Sequence, residues 1–146
     1  MTWNYRGYGE TKGTASPFNI KCDAEQILNF VKNTLGVKGK IGVYSRSLGG
    51  IASTHLASKY SDIIELLIVD RTFARTELIA EHTSRGCFGI KFFHDLFSFK
   101  WDTNNDLQYL DVPCYKICPV DPQDEVIPLL ASLPVNAAKL AYLNKV

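Results

Sequence analysis

The chain has 146 residues, of which 46% are hydrophobic, so it is long enough for one globular domain with its own core. Sixteen Lys and Arg residues oppose fifteen Asp and Glu residues, and the net charge of +1 gives no overall field that would attract nucleic acid or an anionic membrane surface. No apolar run approaches the length of a membrane span, and the polar start of the chain lacks the pattern of a signal peptide. A cytoplasmic location is therefore expected.

The four cysteines are scattered, without C-x-x-C spacing and without a nearby histidine pair at the spacing of zinc ligands. This distribution argues against a zinc site and against a disulfide framework. We expect reduced thiols, no metal and no cofactor. The cysteines are Cys22, Cys87, Cys114 and Cys118.

The first eighteen residues combine aromatic residues with several glycines, a pattern typical of a strand that runs into a loop. We place that strand at about residues 1–6. Residues 19–36 follow as the clearest helix, because apolar residues recur on one stripe and Gly36 is a suitable stop. The stripe consists of Ala24, Ile27, Leu28, Val31 and Leu35.

The segment from Lys40 to Gly50 predicts a strand at 40–45, a sharp turn at Ser47 and a helix from Leu48 to about Tyr60. A serine at such a turn is pushed clear of the sheet and lies beside the N–H groups of the helix start. The usual pattern is G-x-S-x-G, and here Ser45 replaces its first glycine. An ordinary strand-to-helix turn with glycines is the alternative. A nucleotide-binding turn is a weaker one, because neither G-x-G-x-x-G nor the P-loop lysine is present.

Residues 63–69 are apolar except for Glu65, as expected for a strand buried on both faces of a parallel sheet. Asp70 follows at the carboxyl end of that strand, where ligands bind in open α/β sheets. We expect Asp70 to pair structurally with Arg71 or Arg75 rather than to act in catalysis.

The next region, from Thr76 to Trp101, is rich in aromatic residues that either line an acyl pocket or pack in the core, and packing is the commoner reason for them. These residues are Phe88, Phe92, Phe93, Phe97, Phe99 and Trp101.

A polar stretch over residues 101–111 precedes a strand at 113–119, which Pro119 ends. An acidic loop comes next, with Asp121, Asp124 and Glu125 as candidate carboxylates. Such a loop can also serve only to cap the following helix.

Three segments resemble motifs of a known protein family: residues 4–9 (NYRGYG), 46–50 (RSLGG) and 124–128 (DEVIP). In these the chain resembles α/β-hydrolases of the serine aminopeptidase-like and acyl-thioesterase-like kind. The resemblance implies a partial α/β-hydrolase fold, with a mostly parallel sheet and helices on both faces. It implies one domain over residues 1–146, with residues 71–106 as a segment covering the site. Three strands that precede residues 4–9 in the family have no counterpart, which implies a fragment or a truncated gene product.

The same resemblance assigns roles to residues of the site. Ser47 corresponds to the nucleophile, Asp124 to the acid of the triad and the Leu48 amide to an oxyanion donor. The implied reaction is hydrolysis of a small-molecule or acylated substrate, an ester, thioester or amide, and the sequence names no protein partner.

The histidine of the triad is missing from the expected position. In α/β-hydrolases the order along the chain is Ser, Asp, His, whereas His55, His82 and His94 all precede Asp124. A non-catalytic hydrolase-like remnant or interaction domain is therefore the alternative function.

Overall fold

The structure, a computed structural model, describes residues 1–83, 101 and 103–144. The described helices are α1 (Pro17–Asn29), α2 (Gly50–Lys59), α3 (Thr76–Thr83), α4 (Asn105–Leu110) and α5 (Leu133–Leu143). The described strands are β1 (Ile41–Arg46), β2 (Ile64–Asp70) and β3 (Tyr115–Ile117). The residues singled out above that lie outside the described part are Cys87, Phe88, Phe92, Phe93, His94, Phe97 and Phe99.

The described strands form one parallel sheet in the order β1-β2-β3. Val43 of β1 lies opposite Leu67 of β2, and Leu67 lies opposite Lys116 of β3. The predicted parallel sheet with helices is confirmed, and the two strands next to Ser47 run in the same direction.

Two strand predictions need correction. Residues 1–6 are not a strand: within the described residues they form no ladder with β1, the edge strand of the sheet. They form an irregular segment that turns back at Tyr8, whose N–H donates to the carbonyl of Tyr5. Strand β3 covers Tyr115–Ile117 rather than 113–119, since its ladder with β2 has that length.

Helix α1 begins two residues earlier than the apolar stripe predicts. Ser16 is the N-cap, and its Oγ accepts the N–H of Asn19 at 3.1 Å while Pro17 occupies the first turn. The helix ends at Asn29 and continues as a π-helical turn over Phe30–Thr34. The N–H of Leu35 then bonds to the carbonyl of Phe30, immediately before Gly36.

The core lies between one face of the sheet and the helices. Helix α2 packs against β1 and β2, helices α1 and α4 pack against α2, and α5 packs against α4. Fully buried side chains from each layer meet there, among them Ile20, Ile51, Ile64, Leu67 and Leu133. This packing fixes the start of α2 against the ends of the strands.

The opposite face of the sheet is open within the described part of the chain. Tyr44, Tyr115 and Ile117 share that face and are 64%, 78% and 50% exposed. The apolar sequence of β2 predicts burial on both faces, whereas Leu66 and Ile68 are only partly buried.

Candidate active site

Ser47 lies where β1 ends and the turn to α2 begins. Its φ is 52°, in the left-handed region that residues other than glycine rarely adopt. A single 3₁₀ turn over Ser47–Gly49 connects it to α2, with Leu48 as the next residue of that turn. The predicted strained turn at a strand end is thus confirmed, and such strain is commonly found at functional sites.

Small residues allow this turn because strand and helix approach each other closely. A Cβ on Gly49 would lie 3.1 Å from the Cβ of Ser45, and one on Gly50 would lie 2.0 Å from Cγ2 of Thr72. Ser45 itself is buried, and its Oγ lies 2.6 Å from that of Ser53 on α2. The hydroxyl that replaces the usual glycine therefore has a hydrogen-bonding partner.

Asp124 lies at the same edge of the sheet as Ser47. Its Oδ1 accepts the backbone N–H groups of Ile127 and Val126 at 2.9 and 2.8 Å, and these bonds lower the pKa of the carboxyl. The charges of Arg71 and Arg46 lower that pKa further. Because Asp124 follows the carboxyl end of β3, which runs parallel to β2 and β1, its loop lies at the same edge of the sheet as Ser47.

The other acidic residues of the loop are placed differently. Oδ1 of Asp121 accepts the N–H of Gln123 at 3.0 Å, a local turn within the loop, and Glu125 is exposed. The carboxylate of Asp124 shapes its loop in the same way, as the capping alternative requires. Asp124 differs from Asp121 and Glu125 in that its carboxylate accepts two backbone N–H groups.

Asp70 forms the structural pair that the sequence suggests. Its Oδ1 lies 3.3 Å from Nε of Arg71, and its Oδ2 accepts the hydroxyl of Tyr44 at 3.1 Å. Arg75 pairs instead with the buried Asp106 on α4.

Neither described histidine forms a hydrogen bond with Ser47 or Asp124. Nε2 of His55 is 2.6 Å from Oε1 of Glu25 on α1, and His82 is exposed on the last turn of α3. Among the described residues, nothing forms a hydrogen bond with Oγ of Ser47. The structure therefore brings Ser47 and Asp124 to one edge without adding a described histidine to them.

A cavity of about 530 Å³ runs along β1, with Ser47 and Leu48 in its wall. Its other walls come from α1, α2 and the first five residues, including Trp3 and Tyr5. The indole N–H of Trp3 is buried and has no hydrogen-bond partner among the described residues. Sequence reasoning missed these two aromatic residues as pocket residues, because their spacing resembles the end of a strand.

Glu25 is the centre of a polar cluster that ties α1 to α2. Its Oε1 accepts Nζ of Lys59 at 2.7 Å and contacts His55, and its Oε2 accepts the hydroxyl of Tyr60 at 3.1 Å. The hydrogen bonds from Lys59 and then His55 lower the pKa of Glu25 to about 2. No sequence signal could reveal this cluster, since Glu25 is 30 or more residues from each of its three partners.

This shifted pKa predicts a specific loss of stability in acid. Because the folded-state pKa lies below the ordinary value of 4.5, the stabilisation is present above pH 4.5 and is lost as the pH falls towards about 2. With Glu25 partly exposed to solvent, we expect about 1–2 kcal/mol. Urea unfolding between pH 5 and pH 2 measures it. Glu25→Gln should remove this part of the pH dependence, whereas Glu10→Gln, at an exposed site, should keep it. The same pH slope in both variants would contradict the assignment.

Comparisons with known proteins agree with this architecture. No family model matches the chain. It is 35% identical over 72 residues to a Saccharomyces cerevisiae protein named Uncharacterized membrane protein YNL320W. These residues are 49% of this chain and 25% of that protein. It is 37% identical over 71 residues to Protein bem46 of Schizosaccharomyces pombe, covering 48% and 24%. The chain thus matches about a quarter of the length of these relatives. None of the described helices has the length and apolarity needed to cross a membrane.

Two further matches concern the fold by name or by structure. The Arabidopsis thaliana protein named Alpha/beta hydrolase domain-containing protein WAV2 is 34% identical over 71 residues, which are 48% of this chain and 23% of that protein. The crystal structure of the enol-lactonase from Burkholderia xenovorans LB400 superposes with a TM-score of 0.52 at 14% identity, covering 97% of this chain and 76% of that one. The chain is thus similar in sequence to part of a protein named for an α/β-hydrolase domain, and its structure shows part of the α/β-hydrolase fold.

Proposed function

We propose that the chain contributes the nucleophile and the acid of a serine hydrolase that cleaves an acyl ester, thioester or amide. Ser47 is the nucleophile, Asp124 the acid that orients the base, and the Leu48 amide an oxyanion donor. The left-handed φ of 52° at Ser47, between β1 and the start of α2, is the observation that carries the proposal. Asp124 supports it from the same edge of the sheet.

The chemistry follows from this arrangement. Oγ of Ser47 attacks the carbonyl carbon as a base takes its proton, and the carbonyl oxygen becomes an oxyanion near the N–H of Leu48. The alcohol, thiol or amine leaves with a proton from that base, and water then releases the acyl group from Ser47. A neutral serine hydroxyl is a poor nucleophile, so the base is essential to both steps.

A triad also needs a histidine as its base, and no histidine follows Asp124 in this sequence. His55 lies on α2 and contacts Glu25 of α1, and His82 is exposed on α3. We therefore expect the 146-residue chain to hydrolyse esters at a negligible rate. A longer version that carries a histidine after Asp124 should turn over, because a triad needs all three groups.

A short-chain p-nitrophenyl ester tests this expectation in both versions. In the longer version Ser47→Ala should lower kcat by about four powers of ten, while Ser61→Ala, at an exposed serine of a turn, should leave kcat unchanged. Turnover by the 146-residue chain that Ser47→Ala abolishes would mean that His55, His82 or His94 is the base. A folded but inactive longer version would favour the non-catalytic alternative.

A further inference from the structure

Two arginines meet at the carboxyl end of the sheet beside Ser47. Arg46 is the last residue of β1 and directly precedes Ser47, and Arg71 directly follows β2. Both turn Nε towards Asp70: the distances are 3.3 Å from Arg71 to Oδ1 and 4.0 Å from Arg46 to Oδ2. Tyr44 holds the same carboxylate from β1 through its hydroxyl. Asp70 therefore accepts a hydrogen bond from Arg71 and has Arg46 within ion-pair distance.

The outer N–H groups of both arginines are left for another partner. Each approaches Asp70 through Nε, and no described residue accepts a hydrogen bond from their terminal nitrogens. The side chain of Arg46 is 59% exposed and that of Arg71 is 33% exposed. A guanidinium with a free pair of terminal N–H groups can bind a carboxylate in a bidentate way.

The ion-pair contacts leave both guanidinium groups able to bind a further negative group. One carboxylate, that of Asp70, lies within ion-pair distance of both arginines. The carboxylate of Asp124 is bound at Oδ1 to two backbone N–H groups and forms no ion pair with either arginine among the described contacts. Asp124 acts on them at longer range.

The backbone at Arg71 gives an independent indication. Its φ is 45°, a left-handed conformation that glycine or asparagine adopts more easily than arginine. Strained residues of this kind persist where the surrounding structure holds them and cluster at ligand-binding sites. A turn alone does not require arginine at this position.

We propose that Arg46 and Arg71 bind a carboxylate of the substrate, so that Ser47 acts on esters or amides that carry a negative charge close to the bond to be cleaved. This inference rests on the proposed function for the role of Ser47. The binding of the anion does not need the nucleophile, and it can be tested without turnover.

Monomethyl succinate and dimethyl succinate form a matched pair of probes, because they share a skeleton and differ in one carboxylate. Titration of the ¹⁵N-labelled 146-residue chain, followed by NMR, gives both dissociation constants. We expect the monoanion to bind about tenfold more tightly than the diester. Arg46→Gln and Arg71→Gln should each reduce this ratio towards one, and Lys38→Gln, at an exposed lysine before β1, should not change it.

Equal dissociation constants in the wild type, or an unchanged ratio in both arginine variants, would overturn the inference. If Arg71→Gln fails to fold by circular dichroism, Arg71→Lys keeps the charge and removes the bidentate fork, and it should still lower the ratio. Ser47→Ala should keep the ratio. A preserved ratio together with an inactive longer chain would refute the proposed hydrolysis and leave the carboxylate site standing.

Discussion

Gly50→Ala is expected to destabilise the folded chain by about 2–3 kcal/mol. The added Cβ would lie 2.0 Å from Cγ2 and 3.0 Å from Oγ1 of Thr72, which is buried two residues after β2. Gly50 has an ordinary helical φ of −55°, so the cost comes from overpacking and not from backbone strain. The first turn of α2 must move away from β2, and this disturbs the hydrogen bond from Thr72 to the carbonyl of Ser47.

Urea unfolding of a double-mutant cycle tests this expectation. Thr72→Ser removes the methyl group that the new Cβ would meet, so the double variant Gly50→Ala/Thr72→Ser should recover much of the loss. Gly42→Ala is the matched control, because its Cβ would lie 3.7 Å from Leu66, an ordinary contact. Additive effects of Gly50→Ala and Thr72→Ser would show that the close approach of α2 to β2 is wrong.

Asp106→Ala is expected to cost about 2–4 kcal/mol, because it leaves a partly buried arginine without its partner. Asp106 is 1% exposed, and its Oδ2 and Oδ1 lie 3.0 and 3.2 Å from Nε of Arg75. The pair joins α4 to the segment that leads from β2 into α3. Next to it, the backbone N–H of Asn105 donates to the carbonyl of Ala74, and its side-chain amide donates to the carbonyl of Phe73.

The melting temperatures of three variants distinguish the contribution of the Asp106–Arg75 pair from that of an exposed carboxylate. Asp106→Asn keeps an acceptor but loses the charge, so its loss should be smaller than that of Asp106→Ala. Asp111→Ala, at an exposed site just after α4, should change stability by less than about 0.5 kcal/mol. Equal melting temperatures for Asp106→Ala and Asp111→Ala would show that the pair of Asp106 with Arg75 does not stabilise the fold.

The elements around Ser47 could be predicted because their signals are local. The apolar run and glycines of residues 40–50 specify a strand, a turn and a helix within eleven residues, and the structure has β1, the strained Ser47 and α2 there. The start of α1 at Ser16 is also a local signal, since Ser16 and Pro17 form a cap and a first turn. The apolar stripe by itself does not contain this signal, because Ser16 and Pro17 precede its first residue.

Other features depend on partners that the local sequence does not reveal. Residues 1–6 have the composition of a strand, but a strand exists only where another strand pairs with it. The cluster of Glu25 with His55 and the pair of Arg75 with Asp106 join residues about 30 apart in the chain. The role of Asp124 came from the resemblance, and its backbone hydrogen bonds show how the loop holds that carboxylate in place.

Covalent labelling tests the central claim, that Ser47 is the nucleophile of a hydrolase, most directly. The longer version with a histidine after Asp124 is treated with a fluorophosphonate probe, and the labelled peptide is located by mass spectrometry. We predict that the label lies on Ser47, with no labelling after Ser47→Ala and full labelling after Ser61→Ala. A label on another residue, or none on a chain shown to be folded, would contradict the account.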